Sequence, residues 1–211
     1  MIEFYTWFTP NGRKVAIMLE ETGIEYTTHS VNIGKDEQFD PEFLKISPNN
    51  KIPAILDTDN NYPLFETGAI LLYLAEKHGK FLNTKDRDAY WRTMEWLMWQ
   101  MGGFGPILGQ VHHFTKYNPG ISEYAQTRYE AEARRLYTVL NTRLEGRDFI
   151  VDDYSIADMA VWPWAARHNW QEIDLNDYPN VRRWYMTMLD RPAVQRAWNI
   201  PENDQPLPIP E

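Results

Sequence analysis

The 211-residue chain has no cysteine. Disulfide staples, thiolate metal sites and any redox cycle run on the protein's own sulfur are therefore excluded. No stretch approaches the roughly 18 to 20 apolar residues that a membrane-spanning helix needs, and no basic-apolar-small leader opens the chain. Positive charge is also scarce. Against 30 Asp and Glu stand 21 Lys and Arg, a net charge of −9, which repels phosphate backbones and anionic bilayers. The expectation is a cytoplasmic protein with neither nucleic acid nor membrane as a partner, and if thiol chemistry occurs, a ligand brings it. Internal repeats and low-complexity tracts are absent too.

What is present is a packed-core composition, 43% apolar, in a chain long enough for one large domain or two small ones. "IEFYTW" alternates and is rich in aromatics, as a strand does; Val15, Met18, Leu19 and Thr22 then recur at helical spacing up to Gly23. "YTTHSVN" is a second β-branched run, completing a βαβ unit with parallel pairing. Asp40-Pro41 announces a short helix, "PAILD" and "YPLF" form an antiparallel hairpin about "TDNN", and "ETGAILLYLAEKHG" is a helix stopped by Gly79. After the polar "KFLNTKD" every segment has helical period. Residues 86 to 100 carry Trp91, Trp96 and Trp99, "GGFGP" should bend or interrupt that helix, and a second long helix runs from about 122 to 145. "YSIAD" is a capping box built on Ser155 and Asp158, which assigns both to structure. "YPNVRRWYMTML" and "RPAVQRAW" are two further helices, and four prolines in the last eleven residues predict an extended tail.

The order βαβ-ββα followed by helices resembles the glutathione transferase superfamily, as do three local sequences: "NKIPAIL", "FETGAILLYLAEK" and "YSIADMAVWPW". More narrowly, "TPNGRKV", "ISPNNKIPAI", "GAILLYLAEK", "GPILGQVHHF" and "YSIAD" resemble the bacterial Nu-class members that act as glutathione-dependent disulfide-bond oxidoreductases and are similar to the fungal nitrogen-regulation prion protein. The resemblance implies a thioredoxin-like glutathione-binding domain over residues 1 to 79, an all-helical domain over 86 to 200, a tail over 201 to 211, and a homodimer. It also implies a cis bond before Pro53.

A cis proline leaves the main chain of Ile52 exposed to pair with a peptide as one added strand, and glutathione is such a peptide. Its γ-glutamyl end carries an ammonium and a carboxylate on one carbon. Glu66 and Thr67, at a helix start with free N–H groups and the positive dipole end, supply an acceptor beside donors. Thr9, Asn11 and the N–H groups opening the first helix would surround the sulfur. A hydrogen bond to a charged group contributes roughly 1.5 to 3 kcal/mol and a helix start roughly 0.3 to 1, enough to bring a thiol from about 8.5 to near neutrality. By residue-to-residue match, Gln38, Lys51 and Arg128 would help hold two tripeptides, with Arg128 acting within its own subunit or across a dimer.

Taken alone, each of these residues has a plainer role: Thr9 and Asn11 as turn and cap, Pro53 as an edge-strand proline, Glu66 and Thr67 as a helix cap, Arg128 as a solvated charge. His112 and His113 point in different directions on a helix and have no third ligand at suitable spacing, so no metal is expected; they could line a second-substrate pocket. Tyr5 is close enough in sequence to compete with Thr9 and Asn11 for the sulfur. The function expected is glutathione-dependent reduction of a small disulfide, with GSH or GSSG as co-substrate. The alternatives are conventional glutathione transfer to an electrophile, peroxide reduction, or binding and regulation without catalysis.

Overall fold

The computed structural model describes residues 1–210. They fold as two compact units, Met1–Leu82 with Asp190–Leu207, and Asn83–Leu189 with residues 208–210.

The first unit is a four-stranded sheet with order β2-β1-β3-β4, formed by β1 (Ile2–Thr6), β2 (Tyr26–Ser30), β3 (Ala54–Asp57) and β4 (Tyr62–Phe65). β1 and β2 run parallel, while β3 is antiparallel to both β1 and β4. Helix α1 (Pro10–Thr22) makes the parallel crossover, α2 (Pro41–Leu44) follows β2, and α3 (Thr67–His78) follows β4. This is the thioredoxin-like βαβ-ββα arrangement that the sequence predicts. Gly23 and Gly79 end α1 and α3 in the left-handed conformation. Alternation along β1 separates the two faces: Ile2, Phe4 and Thr6 are buried, whereas Tyr5 packs on the opposite side with Val31, Phe43, Ile46 and Ile52.

A late helix, Pro192–Trp198, groups with this unit and not with the helical domain drawn from sequence at 86 to 200. Its side chains and those just before it have their partners on α1. The Arg13 guanidinium lies 3.4 Å from the centre of the Trp198 ring, Arg191 pairs with Glu21 at 2.6 Å, and Arg196 pairs with Glu20 at 2.5 Å. The tail has no regular element over residues 201 to 210; its last residue lies outside the described residues.

The second unit is helical: α4 (Arg87–Trp99), α5 (Gly105–His112), α6 (Glu123–Arg143), α7 (Ile156–Ala165) and α8 (Pro179–Leu189), which leaves Pro192–Trp198 as α9. "GGFGP" does not break the chain's helical course. It is absorbed as a π turn, Gln100–Phe104, closed by the Gly105 N–H on the Gln100 carbonyl, and a second π turn, His113–Tyr117, ends α5's run. Among the described residues no helix is long and apolar enough to cross a membrane.

The capping box at the start of α7 reaches further than a cap. Asp158 is fully buried; Oδ1 accepts from Ile150 N–H and Trp184 Nε1–H, both at 2.9 Å, and Oδ2 accepts from the Ser155 N–H at 3.0 Å. Burial pushes its carboxyl up to about 6 against the pull of these donors. Asp158→Ala strands three buried N–H groups, so we expect a loss of roughly 3 kcal/mol or more, read as a lower urea midpoint at unchanged slope.

Candidate functional site

Register brings the candidate residues of the first unit to one edge of its sheet. Tyr5 faces Ala54, Ala54 faces Phe65, and Thr6 faces Ser30. The end of β1, the start of β3, the end of β4 and the end of β2 therefore share an edge. From it emerge the turn bearing Thr9 and Asn11, the Lys51-Ile52-Pro53 segment, the Glu66-Thr67 start of α3, and the loop that carries Gln38.

The first turn is held by its own chemistry. Thr9, in an extended conformation, caps α1: its Oγ1 accepts from the Gly12 N–H at 3.1 Å. The Trp7 carbonyl accepts from the Thr9 N–H at 2.7 Å and from the Thr6 hydroxyl at 3.3 Å. Gly12 lies directly beneath this turn, and a Cβ there would fall well inside contact of the Trp7 carbonyl oxygen and Thr6 Oγ1. The start of α1 can approach the end of β1 this closely only with glycine at that position. The Trp7 and Phe8 rings lie 4.4 Å apart, tilted by 33°, beside the turn.

The Ile52–Pro53 peptide bond is cis. The ladder of β3 starts at Ala54, and neither the N–H nor the C=O of Ile52 joins a main-chain hydrogen bond among the described residues. Ser47 donates to the Lys51 carbonyl at 2.8 Å, fixing the bend before it, while the Lys51 side chain stands exposed. Glu66 is exposed and takes φ 72, ψ 117, a conformation an L residue adopts only under constraint; its side chain makes no cap bond. Thr67 is buried, and Lys14 Nζ lies 3.4 Å from its Oγ1. Gln38 is half-buried; its Nε2 donates to Asp36 at 3.3 Å, and its Oε1 is enclosed without a partner.

Two sequence candidates lie elsewhere. Tyr5 stacks on His29, ring centres 4.6 Å apart, and lines a cavity of about 300 Å3 with Phe43 and Ile46, on the face of β1 opposite Thr6. Arg128 belongs to α6 in the helical unit, where it lines a groove of about 690 Å3 with Ile107, Tyr124 and Arg135. The two adjacent histidines differ in setting. His112 is buried between the rings of Trp164 and Trp170 and meets Gln171 Nε2 at 3.3 Å, and burial lowers it to about 4; His113 is exposed beside Asn118. No cluster of three metal-binding side chains occurs among the described residues.

Sequence reasoning missed Lys14 and Gly12. Lys14 had a signal: it falls three and four residues before Ile17 and Met18 on the apolar stripe of α1, so its charge is carried into the core. Gly12 carried no signal apart from being a turn residue.

The family model for the glutathione S-transferase N-terminal domain matches residues 1–76, and the one for the C-terminal domain matches residues 104–192. The disulfide-bond oxidoreductase YfcG of Escherichia coli is 51% identical over 205 residues, 93% of this chain and 94% of that protein. A glutathione transferase crystal structure from Pseudomonas putida, with one glutathione disulfide bound per subunit, superposes with a TM-score of 0.89 at 43% identity, covering 95% of this chain and 91% of that one. Another, from Burkholderia graminis with two glutathione molecules bound per subunit, gives 0.89 at 41% identity, covering 96% and 89%.

Gly12→Ala should cost about 1–3 kcal/mol by overpacking the close approach of α1 to β1, measured by thermal unfolding. A variant as stable as the wild type would show that the turn has room to move.

Proposed function

The chain belongs to the glutathione S-transferase family, and from that premise we propose that it is a glutathione-dependent disulfide-bond reductase whose working sulfur belongs entirely to bound glutathione. The observation that carries the proposal is the meeting, in a protein without cysteine, of two helix starts and the unpaired Ile52 main chain at one sheet edge. Ile52 would pair with the cysteinyl part of the tripeptide, as strand addition does. Glu66 would take the γ-glutamyl ammonium, and Thr67 with the first N–H groups of α3 its carboxylate. Gln38 would help hold the tripeptide, and Lys51 and Arg128 would meet glycyl carboxylates.

Because Thr9 Oγ1 already accepts from Gly12, its hydroxyl hydrogen is available to donate to a thiolate; the Asn11 amide would add a second donor. The chemistry is two exchanges. One glutathione thiolate attacks a disulfide sulfur, forming a mixed disulfide and releasing the partner thiolate; a second glutathione then attacks the mixed disulfide at the glutathione sulfur, expelling the other half of the substrate and leaving glutathione disulfide. Two electrons pass from two glutathiones to one disulfide.

We assign the protein to the cytoplasm as a homodimer. The dimer is supported by exposed apolar side chains of the helical unit: Tyr117, Ile121 and Tyr124 are 65%, 66% and 76% exposed, and Tyr124 lines the Arg128 groove.

With glutathione and a small dialkyl disulfide, Thr9→Ala and Asn11→Ala should each lower kcat/KM roughly 10- to 100-fold, the scale of one lost charge-assisted hydrogen bond. Thr9→Ser, which keeps cap and donor, should stay within a few fold. Turnover of an aryl halide far faster than the disulfide would reassign the enzyme to conjugation.

A further inference from the structure

Lys14 is 1% exposed, a charged side chain enclosed at core depth. Its Nζ lies 3.4 Å from Thr67 Oγ1, and Glu66, the residue before, is the charge that favours its ammonium form. An ammonium offers three donors and no acceptor. While charged, Lys14 can only donate to Thr67 Oγ1. Burial lowers the amine to about 7, with Glu66 opposing, so both forms are populated near neutral pH. Among the charged groups of α1 and α9, Arg13 engages Trp198 and Gln205, Arg191 engages Glu21, and Arg196 engages Glu20.

We propose that Lys14 is a positioning residue beneath the γ-glutamyl site, and that a carboxylate arriving at the start of α3 draws a proton onto it. The inference rests on the glutathione site proposed above. The ammonium attracts the carboxylate through a poorly screened interior. Ligand therefore binds the protonated protein more tightly, and by reciprocity binding raises the proton affinity of Lys14. Affinity should be greatest below pH 7 and fall as pH climbs through the amine's range.

Calorimetric titration with glutathione disulfide, which has no thiol to titrate, tests this between pH 6.5 and 8.5 in two buffers of different ionisation enthalpy. The wild type should take up a fraction of a proton at pH 7.5, and its affinity should weaken roughly three- to tenfold across the range, the effect of about one pKa unit. Lys14→Arg, charged at every pH, should lose both the uptake and the slope. Lys14→Met should bind more weakly throughout, also without uptake. Equal uptake in the wild type and Lys14→Arg, or none in the wild type, overturns the role of Lys14. Should neither variant fold, NMR titration of the Lys14 amine in the wild type decides: a midpoint that rises on adding glutathione disulfide supports the inference, and one that does not move overturns it. A wild type that binds no glutathione disulfide at all sinks the site itself.

Discussion

The first N–H groups of an α-helix have no partner inside the helix, and in the first unit two helices begin at one edge of a single sheet. β1 leads into α1 at Pro10, and β4 leads into α3 at Thr67. Because β3 lies between β1 and β4, the register that pairs Tyr5 with Ala54 and Ala54 with Phe65 fixes both starts together with the Ile52–Pro53 bend. A slip of one residue in either ladder would turn the buried face of a strand to solvent, so the edge is specified as firmly as the core. The result is a local field opposite to the overall charge. A protein of net charge −9 gathers two positive helix ends and a buried lysine at one place, and the fixed dipoles there lose little to screening.

Much of this scaffold is legible in the sequence because it is written in local chemistry. Thr9-Pro10, Asp40-Pro41, Ser122, Ser155 and Tyr178-Pro179 mark helix starts through side-chain caps or a fixed φ, and Gly23 and Gly79 mark stops. Those signals involve neighbours a few residues apart. The features that were not legible depend on contacts distant in sequence. The apolar stripe of α1 carries Lys14 inward, but nothing local says that Thr67, 53 positions later, lies beside it. The grouping of α9 with the first unit rests on Arg13 with Trp198 and Gln205, a pairing that no period or cap encodes. "GGFGP" is a lesson of another kind: its glycines reduce helix propensity, yet one wider hydrogen-bonded turn keeps the helical course.

In the helical unit, buried polar groups serve structure. Tyr137 donates to Gln171 Oε1 at 2.6 Å, while Gln171 Nε2 donates to the Trp164 carbonyl at 2.9 Å and meets His112. A neutral imidazole can accept there, and burial holds His112 neutral. Of the two histidines that invited a metal or a second-substrate pocket, one is thus a core acceptor and the other a solvated side chain. Asp158 plays the same part on a larger scale, tying the 149–151 turn, the start of α7 and Trp184 of α8 to one carboxylate. Polar satisfaction of this kind fixes one arrangement of helices where apolar packing alone would allow several.

On the proposed chemistry, carrying the sulfur on a ligand has a thermodynamic consequence that a protein cysteine would not. A cysteine's depressed pKa is a property of the folded chain alone. For bound glutathione the depression equals the preference of the site for thiolate over thiol, because the two descriptions close one cycle. A fall of about 1.5 pKa units, from about 8.5 to about 7, means thiolate bound roughly 30-fold more tightly than thiol, close to 2 kcal/mol. Donors at Thr9 and Asn11 would therefore act on affinity and reactivity at once. The same donors would favour thiolate over neutral sulfur, so a disulfide product would gain little from them and would be held by the proposed peptide contacts at Ile52, Glu66 and Thr67. The sulfur end of the site would then sort thiolate from disulfide, and the peptide end would set how long either one stays.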